Sequence, residues 1–282
     1  SRPELLAGAI TRRTRLVFIE SPANPTLKLT DIAAAARITR VAGVPLAVDN
    51  TFLTPVLQRP LELGAAISLY STTKYIEGHN ATVGGSITTR DVALLERLKL
   101  IRKTLGSIQS PFEAWLTLRG LKTLPLRMRA HCEGAGAVAQ WLAAQPGVAR
   151  VHYPGLKGFP QAALAARQQG GAGGIVAFEV EGGLEAGKRL LSAVRLCSLA
   201  ENLGAAETLI THPVSMTHGD VPVAERRAVG VSDGLIRVSG GAAFATPTAG
   251  EKTPGPAAFS PPAAPRPLMS RPARRAPAAA RT

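Results

Sequence analysis

The stretch Ser68–Asn80, SLYSTTKYIEGHN, sets one lysine, Lys74, behind three hydroxyl residues, Ser71, Thr72 and Thr73. Upstream, Pro45–Phe52 reads PLAVDNTF, with Asp49 closing an apolar run. Ile67–Tyr70 and Pro45–Val48 have the length and content of short buried strands, and so does Arg15–Glu20, RLVFIE. Between the last two lies IAAAARITRVAG, with Asp31 placed to cap a helix and Gly43 to end it. Strand, helix, strand in that order gives a βαβ unit and parallel pairing, so the fold class is α/β. In open α/β sheets ligands gather beyond the carboxyl ends of strands. Asn24, Asp49 and Lys74 all follow such ends. An amine that can form an imine, hydroxyls for a phosphate and an acid for a ring nitrogen are what a pyridoxal 5'-phosphate site needs.

Outward from this unit, Pro22 and Pro25 keep SPANPT out of helix. Leu61–Ala66 reads as helical, and Gly84–Thr89 as a turn into a strand. Asp91 then caps an amphipathic helix, VALLERLKLIRKTLG. Beyond Ser110-Pro111 two helices are expected, over Phe112–Thr123 and Leu126–Leu142, followed by a turn and strand over Pro146–Tyr153. Gly170–Gly174 has neither a following helix nor a Lys-Ser/Thr pair, so it reads as a plain turn before the strand IVAFEVEG. Leu184–Ala193 reads as a helix and Leu235–Ser239 as a strand. Mixed elements after a parallel unit predict a smaller α+β domain. The expected division is 1–115 for the C-terminal part of a large cofactor domain, 116–240 for a small domain, and 241–282 for a disordered tail rich in Pro, Ala and Arg.

The chain carries +14, of which the segment from Gly240 onward supplies six basic residues against one acid. The remaining 27 basic and 18 acidic residues are an adequate field for anionic substrate and cofactor. No nucleic-acid-binding signature accompanies the charge, so no nucleic-acid partner is expected. No apolar run reaches membrane-spanning length, so no membrane partner is expected either. The start lacks the order of a signal peptide, which points to the cytoplasm. It also lacks an initiator Met, as a fragment would. Cys132 and Cys197, 65 residues apart, read as two buried reduced thiols, and no metal is expected.

ESPANPT, DNTF, YSTTKYIEGH, RGLKTLPLRMRAH, YPGL, LAENLG, THPVSMTH and GVSDGLIRVS resemble, in order, the motifs of the transsulfuration (Cys/Met metabolism) family of pyridoxal-phosphate enzymes. The resemblance covers roughly residues 15 to 239. It implies fold type I, the aspartate-aminotransferase-like α/β fold, with a large domain and a smaller C-terminal one. It implies a small-molecule amino-acid substrate and a homo-oligomer, dimer or tetramer. Lys74 resembles the catalytic lysine that holds the cofactor as an internal aldimine and shuttles protons. Asp49 resembles the partner of the pyridinium nitrogen, Ser71 and Thr73 the phosphate ligands, and Asn24 the contact to the phenolic oxygen. Arg237 resembles the clamp on the substrate α-carboxylate, with Asn202 beside it and Thr217 lining the same pocket. Taken singly, each of these residues has an ordinary structural role; the joint occurrence within family wording carries the assignment. His79, His212 and His218 read as structural.

Within the family, Glu201 resembles the acid that meets the distal ammonium of cystathionine, while Asn202 resembles the sulfhydrylases. NTFLTPVLQRPLELGA favours the cystathionine γ-synthase and γ-lyase branch. The alternatives are an O-acylhomoserine sulfhydrylase or methionine γ-lyase of the same family, or a truncated, catalytically incompetent remnant. Two departures bear on the last. The family's N-terminal third has no counterpart here, so weak cofactor binding is expected. After Ser239 the resemblance gives way to the Arg/Pro/Ala tail, which reads as a non-native extension from a reading-frame shift.

Overall fold

A computed structural model describes residues 2–242. After a short helix α1 (Pro3–Ala9) come β1 (Val17–Glu20), helix α2 (Ile32–Val41) and β2 (Leu46–Asp49), the expected βαβ unit with β1 and β2 parallel. Asp31 Oδ1 accepts the Ala34 N–H at 2.9 Å, and Gly43 turns the chain away at φ +67°. The buried face of α2, with Ile32, Ala35 and Ala36, packs on Val17, Leu46 and Val48. A single helical turn, α3 (Thr54–Leu57), precedes β3 (Ile67–Ser71), which is parallel to β2. β4 (Gly85–Thr89) closes this four-stranded sheet antiparallel to β3, in the order β1-β2-β3-β4. Leu61–Ala66, expected as a helix, is instead a run of turns. Gly64 adopts φ +97°, and the Ala66 N–H is drawn to Leu46 O of β2 at 2.9 Å, so the segment is led into the sheet.

Helix α4 (Val92–Leu105) starts at Asp91, whose Oδ1 accepts the Leu94 N–H at 3.0 Å, and ends at Gly106 with φ +70°. It buries no residue among those described. The two helices expected after Ser110 are one 33-residue helix, α5 (Pro111–Ala143), opened by a Ser110–Glu113 capping box. Pro125 lies inside it. An interior proline costs roughly 3 kcal/mol in an exposed helix, because an N–H is lost and the ring crowds the preceding turn. Here Gly120 and Leu124 on one side of it, and Arg127 and Met128 on the other, are buried against the rest of the protein, and this packing holds the helix together.

The second sheet combines β5 (Val148–His152), β6 (Ile175–Val180), β7 (Ser198–Leu199), β8 (Leu209–Thr211) and β9 (Leu235–Ser239) in the order β5-β6-β9-β8-β7, antiparallel except for β7 with β8. Helices α6 (Ala162–Gln168), α7 (Gly183–Ala193) and α8 (Val223–Val229) accompany it. Ala135, Val138, Ala139 and Leu142 of α5 pack on Val176 and Phe178 of β6 and Ile236 and Val238 of β9. A further cluster joins the sheets: Tyr75 lies with Leu124 and Met128 of α5, Ile175 and Ala177 of β6, and Leu235 of β9. Packing continues past Ser239, since Gly240 N–H donates to Gly174 O at 2.8 Å and Gly241 N–H to Thr208 Oγ1 at 3.1 Å. The rest of the expected tail, from residue 243, lies outside the described residues. Both cysteines are free; Cys197 is buried as expected, whereas Cys132 is only half-buried. Among the described residues no helix is long and apolar enough to cross a membrane, and no cluster of metal-ligating side chains forms.

Candidate active site

The carboxyl end of β3 runs into a five-residue turn, Thr72–Ile76, wound wider than an α-helix and broken at Lys74 itself (φ −95°, ψ −130°). Backbone and side chains fasten it from both sides. Ser71 N–H donates to Thr51 Oγ1 at 2.9 Å, and Thr72 N–H to Gly84 O at 2.9 Å. Thr73 Oγ1 accepts the Gly84 N–H at 2.9 Å. Beyond the lysine, the Arg127 guanidinium donates to Tyr75 O at 2.6 Å, Ile76 O at 3.1 Å and Gly120 O at 2.8 Å. One buried side chain on α5 therefore satisfies the carbonyls that the turn exposes.

Lys74 Nζ donates to Asn202 Oδ1, and Asn202 Nδ2 donates in turn to Asn80 Oδ1 at 2.6 Å. Lys74 is half-buried; burial, and then the charge of Arg237, pull its pKa below the ordinary lysine value and favour the neutral amine. Arg237, on the fully buried strand β9, is 2% exposed. Its Nη1 donates to Asn24 Oδ1 at 3.0 Å, and its Nη2 to Asn202 O at 2.9 Å and Thr211 Oγ1 at 3.0 Å. Burial pulls its pKa down to about 10, so the guanidinium stays charged at neutral pH. The ends of β1 and β2 complete the site. Glu20 Oε2 accepts the Asn24 N–H at 3.1 Å, and Asp49 Oδ1 accepts the Thr51 N–H at 2.9 Å. Glu20 pairs in register with Asp49, and burial, with that neighbouring acid, pushes the Glu20 carboxyl above the ordinary range.

The sequence profile of the Cys/Met metabolism PLP-dependent enzymes matches residues 1–245. The chain belongs to that family. It is 47% identical over 240 residues to an L-methionine gamma-lyase of Pseudomonas putida, covering 84% of this chain and 60% of that protein. It is 47% identical over 236 residues to a cystathionine gamma-lyase of Dictyostelium discoideum, covering 84% of this chain and 61% of that protein. The crystal structure of metB from Corynebacterium glutamicum superposes with a TM-score of 0.82 at 43% identity, covering 85% of this chain and 61% of that one. The fold is thus the α/β, fold type I architecture that the sequence motifs implied. The chain spans about 60% of the length of the curated relatives it matches.

Pyridoxal 5'-phosphate is the cofactor of this family, and the residues present fit it. Lys74, its pKa lowered by burial and by Arg237, supplies an amine that can bond an aldehyde. Asp49 keeps one carboxylate oxygen outside the hydrogen bonds of the described residues, as does the Ser71 hydroxyl. Arg237 Nε is buried without a partner, a spare donor beside the lysine. Lys74, Asn202, Arg237 and Asn24 form one hydrogen-bonded group, with Asp49, Ser71 and Thr73 on the adjoining strand ends. Glu201 is exposed and close enough to Arg237 to raise its pKa. Thr217 lies outside the group, exposed, with its hydroxyl on His218 Nδ1 at 2.8 Å. His212 engages Ser215 Oγ at 2.8 Å and Asp233 O at 2.9 Å, so both its ring nitrogens are used within the fold.

Sequence reading missed three residues of the site. Glu20 opens the quoted ESPANPT, but that wording gave the half-buried acid no role. Arg127 lies within the quoted RGLKTLPLRMRAH, but spacing alone gave it no partner. Gly204, in LAENLG, has φ +79°, and a Cβ there would fall 2.6 Å from Tyr75 N and 3.0 Å from Lys74 C. That close approach is what brings the Asn202 loop onto the lysine.

Proposed function

We propose that this chain carries the lysine-bearing and carboxylate-binding parts of a pyridoxal-phosphate-dependent transsulfuration enzyme. Its substrate would be a sulfur amino acid or an O-acylhomoserine, eliminated or replaced at Cγ as in the cystathionine γ-synthases and γ-lyases. The observation that supports it most is the junction of Lys74, Asn202 and Arg237, where a lysine from one sheet meets a buried guanidinium from the other. When bound, the cofactor supplies an electron sink for negative charge at the substrate Cα. Lys74, its pKa lowered by burial and by Arg237, would hold the cofactor through its amine, and the same amine would move the proton at the substrate Cα. Asp49 would hold the proton on the ring nitrogen. Ser71 and Thr73 would take the phosphate, and Asn24 the phenolic oxygen. Arg237 offers a planar fork to the α-carboxylate, exchanging the acceptors Asn24 Oδ1 and Asn202 O for carboxylate oxygens. Near-equal identity to a methionine and a cystathionine γ-lyase does not choose the substrate. Glu201 beside Arg237 favours cystathionine, because an acid there can meet a second ammonium. A division into large and small domains near residues 115–116, a homodimer or homotetramer, and a cytoplasmic location belong to the same proposal.

The test is titration of the full chain with pyridoxal phosphate, followed by turnover assays with cystathionine, methionine and O-succinylhomoserine. A visible absorption band that Lys74→Ala abolishes is expected, with cystathionine turned over fastest. A band that survives Lys74→Ala would overturn the assignment. Cofactor loading with no turnover of any of the three would instead support an inactive remnant.

A further inference from the structure

A cavity of about 810 Å³ opens between the turn after β1 and the strands β5 and β6, and none of its lining residues belongs to the Lys74 group. Its volume falls within the range of about 300–1,000 Å³ usual for small-ligand sites. Three cations line it, Lys28, Arg150 and Arg227, against one acid, Glu179. That acid is already engaged: Glu179 Oε1 meets His152 Nε2 at 2.8 Å, and Oε2 accepts from Ser232 Oγ at 2.8 Å. Burial opposes its ionisation, but these hydrogen bonds and the charges of His152 and Arg150 outweigh it and hold the carboxyl below the ordinary range. Arg227 is answered by Asp233 at 2.8 Å. Arg150 takes part in no ion pair within 4.0 Å among the described residues. Lys28 Nζ donates to Val229 O at 2.5 Å, which leaves protons on the ammonium for another acceptor. The facing loop is shaped around this lysine. Gly230 stands at φ +91°, and a Cβ there would fall 2.9 Å from Lys28 Nζ.

We propose that this cleft binds a small polyanion, a metabolite with closely spaced phosphate or carboxylate groups, bridged between Lys28 and Arg150. The inference does not depend on the reaction at Lys74. Lys28 lies four residues beyond Asn24, an acceptor for Arg237, so a ligand bridging Lys28 to β5 ties the turn that carries Asn24 to the second sheet. The test is calorimetric titration of the full chain with pyrophosphate and, separately, with citrate at constant ionic strength. Saturable binding of at least one is expected, weakened about tenfold by Lys28→Gln and by Arg150→Gln, since each removes a charge-assisted contact. Both side chains are exposed, so the variants fold, and Lys99→Gln on α4 serves as the charge-matched control with unchanged affinity. Stronger binding of pyrophosphate than of citrate assigns a phosphorylated ligand, and the reverse a polycarboxylate. Thr73→Ala should not alter the affinity. Absence of saturable binding of either anion at millimolar concentration would overturn the proposal. So would a loss in Thr73→Ala or Lys99→Gln equal to that in the cleft variants.

Discussion

The two sheets bury their strands to different extents. In the five-stranded sheet every residue of β9 and the first four of β6 are buried. In the four-stranded sheet β4 buries none, Phe18 of β1 is 57% exposed, and α4 leaves Leu100, Ile101 and Leu105 in the open. The two halves of the candidate site inherit this difference. Arg237 stands on the most enclosed strand, where packing and three hydrogen-bond acceptors fix its side chain. Lys74 stands on a turn of the less enclosed sheet, and its position is set by attachments: Arg127 from α5, Asn202, and the close approach of Gly204. On the proposed roles, the labour is divided: packing fixes the carboxylate clamp Arg237, and a few named contacts hold the segment that carries the amine of Lys74.

The comparison is most easily broken at its phenylalanines. Phe178, 1% exposed, packs among Val176, Ile236 and Val238. Phe178→Ala should cost about 3–5 kcal/mol by transfer and cavity. Phe18→Ala, at an exposed position, should stay within about 0.5 kcal/mol. Denaturant midpoints measure both, and equal losses would remove the distinction. Next come the fastenings. Gly204→Ala forces a Cβ against Tyr75 N at a positive φ, for which overpacking costs of about 1–3 kcal/mol are usual. Arg237→Met strands the acceptors Asn24 Oδ1, Asn202 O and Thr211 Oγ1, with a loss of about 1–3 kcal/mol. If the attachments position the lysine, Gly204→Ala lowers cofactor affinity as well as stability; an affinity left intact would show that the approach at Gly204 is only structural. The helix caps provide a smaller contrast. Asp31 and Asp91 accept equivalent N–H bonds, but α2 is packed and α4 is not. Asp31→Ala should therefore cost about 1 kcal/mol. In Asp91→Ala the loss should be confined to local fraying, read by amide exchange in α4.

The same contrast governs what was legible in the sequence. Short apolar runs ending in Glu20, Asp49 and Ser71 announced the parallel unit, because buried parallel strands leave a continuous hydrophobic signature. Motif wording then placed Lys74, Asn24, Asn202 and Arg237, which the fold joins across more than two hundred residues. What failed depended on contacts distant in sequence. The continuity of α5 through Pro125 rests on burial against the Lys74 turn, which no local pattern records. Leu61–Ala66 has helix-compatible residues, but a sheet hydrogen bond and Gly64 decide its path. β7 and β8, two and three residues long, are too short to show a period. Arg127 was visible as a residue and silent as a partner, since its acceptors in the Lys74 turn lie 52 and 51 positions away.

The smallest effect lies in the pH dependence of stability, where two groups of the site act in opposite directions. Lys74 has its folded pKa below the ordinary 10.5. Between the two values the unfolded chain holds a proton that the folded chain has released, so stability rises with pH across that window. Glu20 has its folded pKa above the ordinary 4.5. Between those values the folded chain holds the extra proton, so its contribution is complete below 4.5 and is lost as pH climbs through the raised value. The windows are alkaline and acidic, so one series of thermal midpoints separates them. Lys74→Met should flatten the alkaline rise and leave the acidic fall in place. Glu20→Gln should do the reverse. An alkaline slope unchanged by Lys74→Met would mean that the amine is solvated like any surface lysine, and the less enclosed sheet would then lack the desolvated nucleophile that its attachments are proposed to hold.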